Sequence, residues 1–197
     1  FDCIYSGYLA SEAEQQLVRK AFSYWPGALK VVDPVLADHG RFYTGMQDLL
    51  PGMRELCRQA DLILPNLTEA CFLLGREYSA EEFTPEQAQA LADEVSAGVQ
   101  RAVVTGLPLA KHLACAGSSG RDRFVVKRLR IDRSYPGTGD LFAAVLVGCL
   151  LRGNALSAAA DAAAGFVAEA INNTAPTADP AFGVWFEPLL GRLSGGN

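Results

Sequence analysis

Pro136-Gly137-Thr138-Gly139-Asp140 runs straight into Leu141-Phe142-Ala143-Ala144-Val145-Leu146: a turn, then an apolar helix, with one carboxylate at the junction. A helix start presents unpaired backbone N–H groups and a partial positive charge. Gly137 and Gly139 allow close approach to that backbone, so the turn suits an anion such as a phosphate. Asp140 is at odds with such a site. It either caps the helix that it begins, as aspartate commonly does, or keeps its charge for chemistry, such as taking a proton from an attacking hydroxyl. The string by itself leaves both open.

Upstream of this turn, short β-rich runs alternate with longer helical ones. Cys3–Tyr5, Leu29–Val32, Leu62–Leu64 and Arg101–Thr105 read as strands, the last ending at Gly106. Ser11–Tyr24 has helical spacing, with Ser11 and Glu14 predicted to form a capping box and Pro26-Gly27 to stop the helix. Ala37-Asp38-His39-Gly40-Arg41 reads as a polar loop. Helices are predicted around Gln47–Gln59, over Thr68–Leu74 with Gly75 as its stop, and from Thr84-Pro85 to about Val99. His112–Ala116 and Arg123–Ile131 flank Gly117-Ser118-Ser119-Gly120 as a β-hairpin. Helices at about Asp140–Arg152 and Ala155–Asn172 follow, with a last one near the C-terminus. This order predicts one α/β domain over 1–197, a mostly parallel central sheet with helices on both faces.

Composition bounds the function. The chain has 197 residues, half of them apolar, and a net charge of −5 with no basic run, which argues against a nucleic-acid surface. The longest apolar stretch, Leu141–Leu151, falls short of the ~18 residues that a membrane span needs. Cys3, Cys57, Cys71, Cys115 and Cys149 stand singly, without CxxC or histidine spacing, as expected of free thiols in a reducing cytoplasm. Phe1-Asp2-Cys3-Ile4-Tyr5 already reads as an internal strand, so an N-terminal part of the native protein is expected to be missing.

In open α/β sheets, ligands sit beyond the carboxyl ends of the strands. Tyr8, Asp33, Asn66 with Glu69, and Thr105 each follow a predicted strand. Asp33 and Glu69 are candidate magnesium carboxylates, since that ion takes only one or two from protein in phosphate sites. Each has a plainer alternative. Asn66-Leu67-Thr68-Glu69 satisfies the capping-box pattern, and Asp33 before Pro34 suits a turn. There is no P-loop and no GxGxxG after a strand. His39 lies in the polar loop, His112 reads as a structural strand residue, and Arg130 and Arg133 could either meet phosphates or be solvated.

Four segments together resemble the ribokinase-like superfamily, and within it the pyridoxal/pyridoxine/pyridoxamine kinases: Tyr5-Ser6-Gly7-Tyr8-Leu9, the run Asp33-Pro34-Val35-Leu36-Ala37-Asp38-His39-Gly40-Arg41-Phe42-Tyr43, Pro65-Asn66-Leu67-Thr68-Glu69-Ala70, and Gly137-Thr138-Gly139-Asp140-Leu141-Phe142. The resemblance implies a ribokinase-like domain lacking its N-terminal portion, and ATP-dependent phosphorylation of the 5′-hydroxymethyl group of a B6 vitamer. It implies Asp140 as the general base, and Gly137, Thr138 and Gly139 as the anion hole. Asn66 and Thr105 would contact ATP phosphates, and Glu69 and Asp33 would organise Mg²⁺, with a monovalent cation as a further candidate. Tyr8 would flank the pyridine ring, and Asp38 and Tyr43 would belong to a loop over the nucleotide. It further implies a cytoplasmic homodimer with no nucleic-acid or membrane partner. Two alternatives stay open. Hydroxymethylpyrimidine (phosphate) kinases share the fold but commonly carry Cys at the position of Asp140, and a non-catalytic nucleotide- or vitamer-binding module would not need a base there.

Overall fold

The computed structural model describes residues 1–120 and 122–193. Its centre is a six-stranded sheet in the order β1-β2-β5-β6-β7-β8: β1 Cys3–Ser6, β2 Leu29–Val32, β5 Leu62–Ile63, β6 Ala102–Leu109, β7 His112–Ser118 and β8 Arg123–Leu129. The first four strands are parallel, and β7 and β8 continue the sheet antiparallel. The helices are α1 Glu12–Tyr24, α2 Leu50–Arg58, α3 Leu67–Leu74, α4 Pro85–Ser96, α5 Thr138–Leu151 and α6 Leu156–Asn173.

Strand alternation divides the core in two. Val32, Ile63, Ala102, Val104, Ala114 and Ala116 pack against α1 to α4. Their neighbours Val31, Leu62, Val103 and Cys115 face the other way, against α5 and α6. The sheet is therefore covered on both faces, as its near-continuous apolar strands require. The cysteines are free thiols, four of them buried and Cys3 half-buried. Among the described residues no helix is long and apolar enough to cross a membrane.

Four local expectations need correction. The polar loop at Ala37–Arg41 is a small antiparallel hairpin, β3 (Ala37–Asp38) with β4 (Arg41–Phe42), turned by His39 and Gly40 at φ 49° and 75°. Two successive positive φ values are what a two-residue hairpin turn demands. β6 does not end at Gly106, because a bulge between Val104 and Leu107 absorbs Thr105 and Gly106 (φ 71°) and the strand runs on to Leu109. Ser11 does cap α1, but the Glu14 carboxylate accepts from the Ala10 N–H, so the reciprocal half of the box closes one residue early. The final helix is two short 3₁₀ turns, Pro180–Phe182 and Glu187–Arg192.

Candidate active site

The parallel register aligns the strand ends along one edge. Ser6 pairs with Val32, Val32 with Ile63, and beyond β5 a single bridge joins Asn66 to Thr105. The residues that follow β1, β2, β5 and β6 are thereby brought side by side.

Asp33 is 9% exposed. It accepts a hydrogen bond at 3.0 Å from the Tyr5 hydroxyl, which comes from the neighbouring strand, and another from the Val35 N–H, the turn role that its place before Pro34 suggested. Val35 itself has φ 39°, which costs a β-branched residue strain. Burial pushes the Asp33 carboxyl up to about 7, against the Tyr5 hydrogen bond and with the charge of Asp140 adding to the rise. Glu69, 2% exposed, is pushed to about 7 by burial, opposed by the Asn66 N–H and raised further by Asp33. Among the described residues no lysine or arginine is a cause of either shift. The Tyr43 hydroxyl is raised by burial and by Asp38, Glu69 and Asp33.

Glu69 and Asn66 hold the backbone. Glu69 Oε1 accepts from the N–H groups of Leu36 (2.8 Å) and Ala37 (3.3 Å), and Oε2 from that of Asn66 (2.9 Å). Asn66 Oδ1 accepts from the Glu69 N–H at 3.0 Å, and Nδ2 donates to the Ala37 carbonyl at 2.7 Å. The capping box is thus present, and it doubles as a clip on the loop that follows Asp33. Both Glu69 oxygens are engaged by backbone N–H groups, Oε1 by two and Oε2 by one. The Asn66 side chain is likewise engaged at both ends. Thr68 Oγ1 accepts from the Gly40 N–H at 3.0 Å, and Phe42 stacks on Phe72 at 4.3 Å, which ties the hairpin to α3. The hairpin carries Asp38, exposed beside His39 at 3.6 Å, and is followed by Tyr43, 41% exposed.

At the far side of the edge, Gly137 is the N-cap of α5, with φ 78° and no side-chain cap. Asp140 therefore stands at the third helical position and caps nothing, which removes the plainer alternative. Leu141 N–H is the first to bond back, to the Gly137 carbonyl. Among the described residues the N–H groups of Thr138, Gly139 and Asp140 have no acceptor, and a Cβ at Gly137 or Gly139 would meet nothing within 4 Å. The Thr138 hydroxyl donates to the Tyr135 carbonyl at 3.2 Å, which fixes the turn. A cavity of about 200 Å³ is lined by Tyr5, Asp140, Ala143, Ala144 and Val147. Tyr8, 58% exposed, lies outside that lining. A second cavity of about 440 Å³ is bordered by His112, Lys127, Leu129, Ile131, Ala168 and Asn172, at the same sheet edge because β8 runs parallel to β6. Of the two arginines, Arg133 donates to the Thr174 carbonyl at 2.9 Å and Arg130 faces Asp132 at 3.8 Å.

Tyr5 was not singled out from the sequence as a site residue. Its signals in the sequence are its place at a strand end and its membership of the Tyr5-Ser6-Gly7-Tyr8-Leu9 segment.

The model of the phosphomethylpyrimidine kinase family matches residues 1–184. The chain belongs to that family. Members and neighbours share its ribokinase-like fold. A candidate phosphomethylpyrimidine kinase of Bacteroides thetaiotaomicron, crystallised with pyridoxal, is 32% identical with a TM-score of 0.89, over 100% of this chain and 72% of its own. Bacillus subtilis pyridoxal kinase, solved as an ADP complex, is 27% identical with a TM-score of 0.74, over 90% of this chain and 67% of its own. Pig (Sus scrofa) pyridoxal kinase is 32% identical over 171 residues, covering 75% of this chain and 52% of the enzyme. The chain spans about half the length of the curated relatives it matches.

Proposed function

We propose that the protein carrying this chain transfers the γ-phosphoryl group of ATP to the 5′-hydroxymethyl group of a B6 vitamer. The observation that carries this is the uncapped start of α5, where free N–H groups and one uncommitted carboxylate stand together. Phosphoryl transfer needs mainly positioning and charge stabilisation. The N–H groups of Thr138, Gly139 and Asp140 receive the transferring phosphoryl group. Asp140 accepts the hydroxyl proton as the substrate oxygen bonds to phosphorus, and ADP departs with the electron pair of the broken P–O bond. Tyr8 flanks the pyridine ring, Thr105 and Asn66 border the nucleotide phosphates, and Asp38 and Tyr43 lie over the nucleotide. The larger cavity is suited to the nucleotide base.

The residues fit magnesium. Two buried carboxyls with no basic neighbour among the described residues make a pocket that favours a cation. Among the described residues no cluster of three or more ligating side chains occurs, which suits an ion that keeps water and phosphate oxygens as ligands. Asp33 and Glu69 would organise it, and the ion would neutralise the β- and γ-phosphates. Hydroxymethylpyrimidine phosphorylation is the second reading, favoured by the description of the family model. A homodimer belongs to the same proposal.

The test is ATP consumption by the intact protein with Mg²⁺ and, in parallel, pyridoxal, pyridoxine, pyridoxamine and hydroxymethylpyrimidine. Turnover of a vitamer, reduced at least about 10³-fold in Asp140→Asn with nucleotide affinity retained, is expected. Turnover of hydroxymethylpyrimidine alone moves the protein to the second reading. Silence with all four, alongside normal nucleotide binding, supports a binding module.

A further inference from the structure

Resting on the kinase assignment above, we propose that Tyr5 is a positioning residue for the phosphoryl-transfer site, holding the Asp33 carboxylate while its ring forms the wall of the cavity that contains Asp140. Tyr5 belongs to β1, in register with Val31 of β2, so its side chain lies on the same face as Asp33, the residue that follows β2. Its hydroxyl donates to Asp33 Oδ2 at 3.0 Å. This is the one side-chain hydrogen bond that Asp33 accepts among the described residues, and it spans two strands rather than closing a local turn. The same ring lines the 200 Å³ cavity with Asp140, Ala143, Ala144 and Val147. A phenol that donates to a carboxylate can orient it without competing with it for a cation.

The position therefore has two separable parts. The hydroxyl fixes which way Asp33 points, and the ring sets the width of the cavity between β1 and the Ala143–Ala144 face of α5. Tyr5→Phe removes the first and keeps the second. In the intact protein it is expected to weaken Mg·ADP binding and lower kcat roughly tenfold, the effect of a hydrogen bond to a charged group, while KM for pyridoxal stays within about twofold.

The deciding experiment is a double-mutant cycle of Tyr5→Phe and Asp33→Ala. Mg·ADP affinity is measured by calorimetry in all four proteins, and kcat with pyridoxal where there is turnover. If Tyr5 acts through Asp33, Tyr5→Phe costs about tenfold in the wild-type background and little in Asp33→Ala. Additive losses, or a Tyr5→Phe protein indistinguishable from wild type, overturn the proposal. Thermal unfolding of each variant identifies any loss that is merely structural, and such a loss would lower the melting temperature equally in both backgrounds. The calorimetric arm does not depend on the alcohol. A wild type that binds Mg·ADP but phosphorylates no vitamer therefore sinks the function proposed above and leaves the cycle to decide on Tyr5. A wild type that binds no Mg·ADP sinks both.

Discussion

A single methyl group, added at either of two glycines in the turn before α5, should separate folding from catalysis. Gly139 sits in the first turn of α5 with ordinary helical φ, and its added Cβ would meet nothing among the described residues. Alanine is the better helix former by up to about 1 kcal/mol, chiefly because it restricts the unfolded chain. Gly139→Ala should therefore leave the melting temperature unchanged or raise it by a few degrees, at about 2–4 °C per kcal/mol for a chain of this size. Gly137 has φ 78°, where alanine costs roughly 1–2 kcal/mol, so Gly137→Ala should lower it by a similar amount. Catalysis should not follow that sign. Both methyl groups project into the open space where an anion must approach the free N–H groups, and losing such donors typically costs about 10²-fold or more in kcat. The assay is thermal unfolding by circular dichroism beside steady-state kinetics with pyridoxal and Mg·ATP on the intact protein. A Gly139→Ala protein with full kcat would refute the anion cradle, and one less stable than Gly137→Ala would refute the geometry on which it rests.

Two other outcomes test the acidic pocket. Asp33 and Glu69 have folded-state values near 7, above the ordinary carboxyl range, so folding favours their protonated forms. Their contribution to stability is greatest below about pH 4 and is lost as pH rises through 7. The melting temperature, followed from pH 5 to 8, should fall more steeply in the wild type than in Asp33→Asn, and Mg·ADP should flatten the wild-type slope. Equal slopes would contradict the burial argument. Glu69→Ala strips the acceptor from three backbone N–H groups, at roughly 1–3 kcal/mol for each one left buried and unpaired. Denaturant unfolding should show a loss of several kcal/mol, and hydrogen exchange should be faster at Leu36 and Ala37.

Much of this architecture was legible in the sequence because its signals are local. Apolar runs such as Leu29–Val32 mark buried parallel strands, and Thr84 with Gln87 forms the capping box that its spacing predicts. Gly75 ends α3 in the left-handed conformation expected of a stop. Legibility failed where a long-range partner decides the outcome. Nothing near Glu69 in the chain shows that its oxygens are taken by Leu36 and Ala37, which a separate strand–loop unit delivers. The β3–β4 hairpin depends on His39 accepting a positive φ, which its residue type does not announce and which Thr68 helps to fix through Gly40. Tyr5 gains its hydroxyl partner only through the register between β1 and β2. The turn at Gly137–Asp140 was visible, but the choice between cap and base was not, because it depends on which residue is the N-cap, a matter of one position in backbone geometry.

The bulge in β6 has a consequence for counting along the chain. Val104 and Leu107 are both fully buried although three positions apart, because Thr105 and Gly106 together occupy the space of one residue on the partner strand. Odd and even exchange their meaning at that point. Before it, Ala102 and Val104 lie toward α3 and α4 and Val103 toward α5 and α6. After it, Leu107 and Leu109 take over the side that the even numbers held. A deletion of Gly106 would therefore remove the bulge rather than break the strand: Thr105 alone would stand opposite Cys115, and Leu107 and Leu109 would keep the side they already hold, whereas a deletion within Ala102–Val104 would shift that pairing.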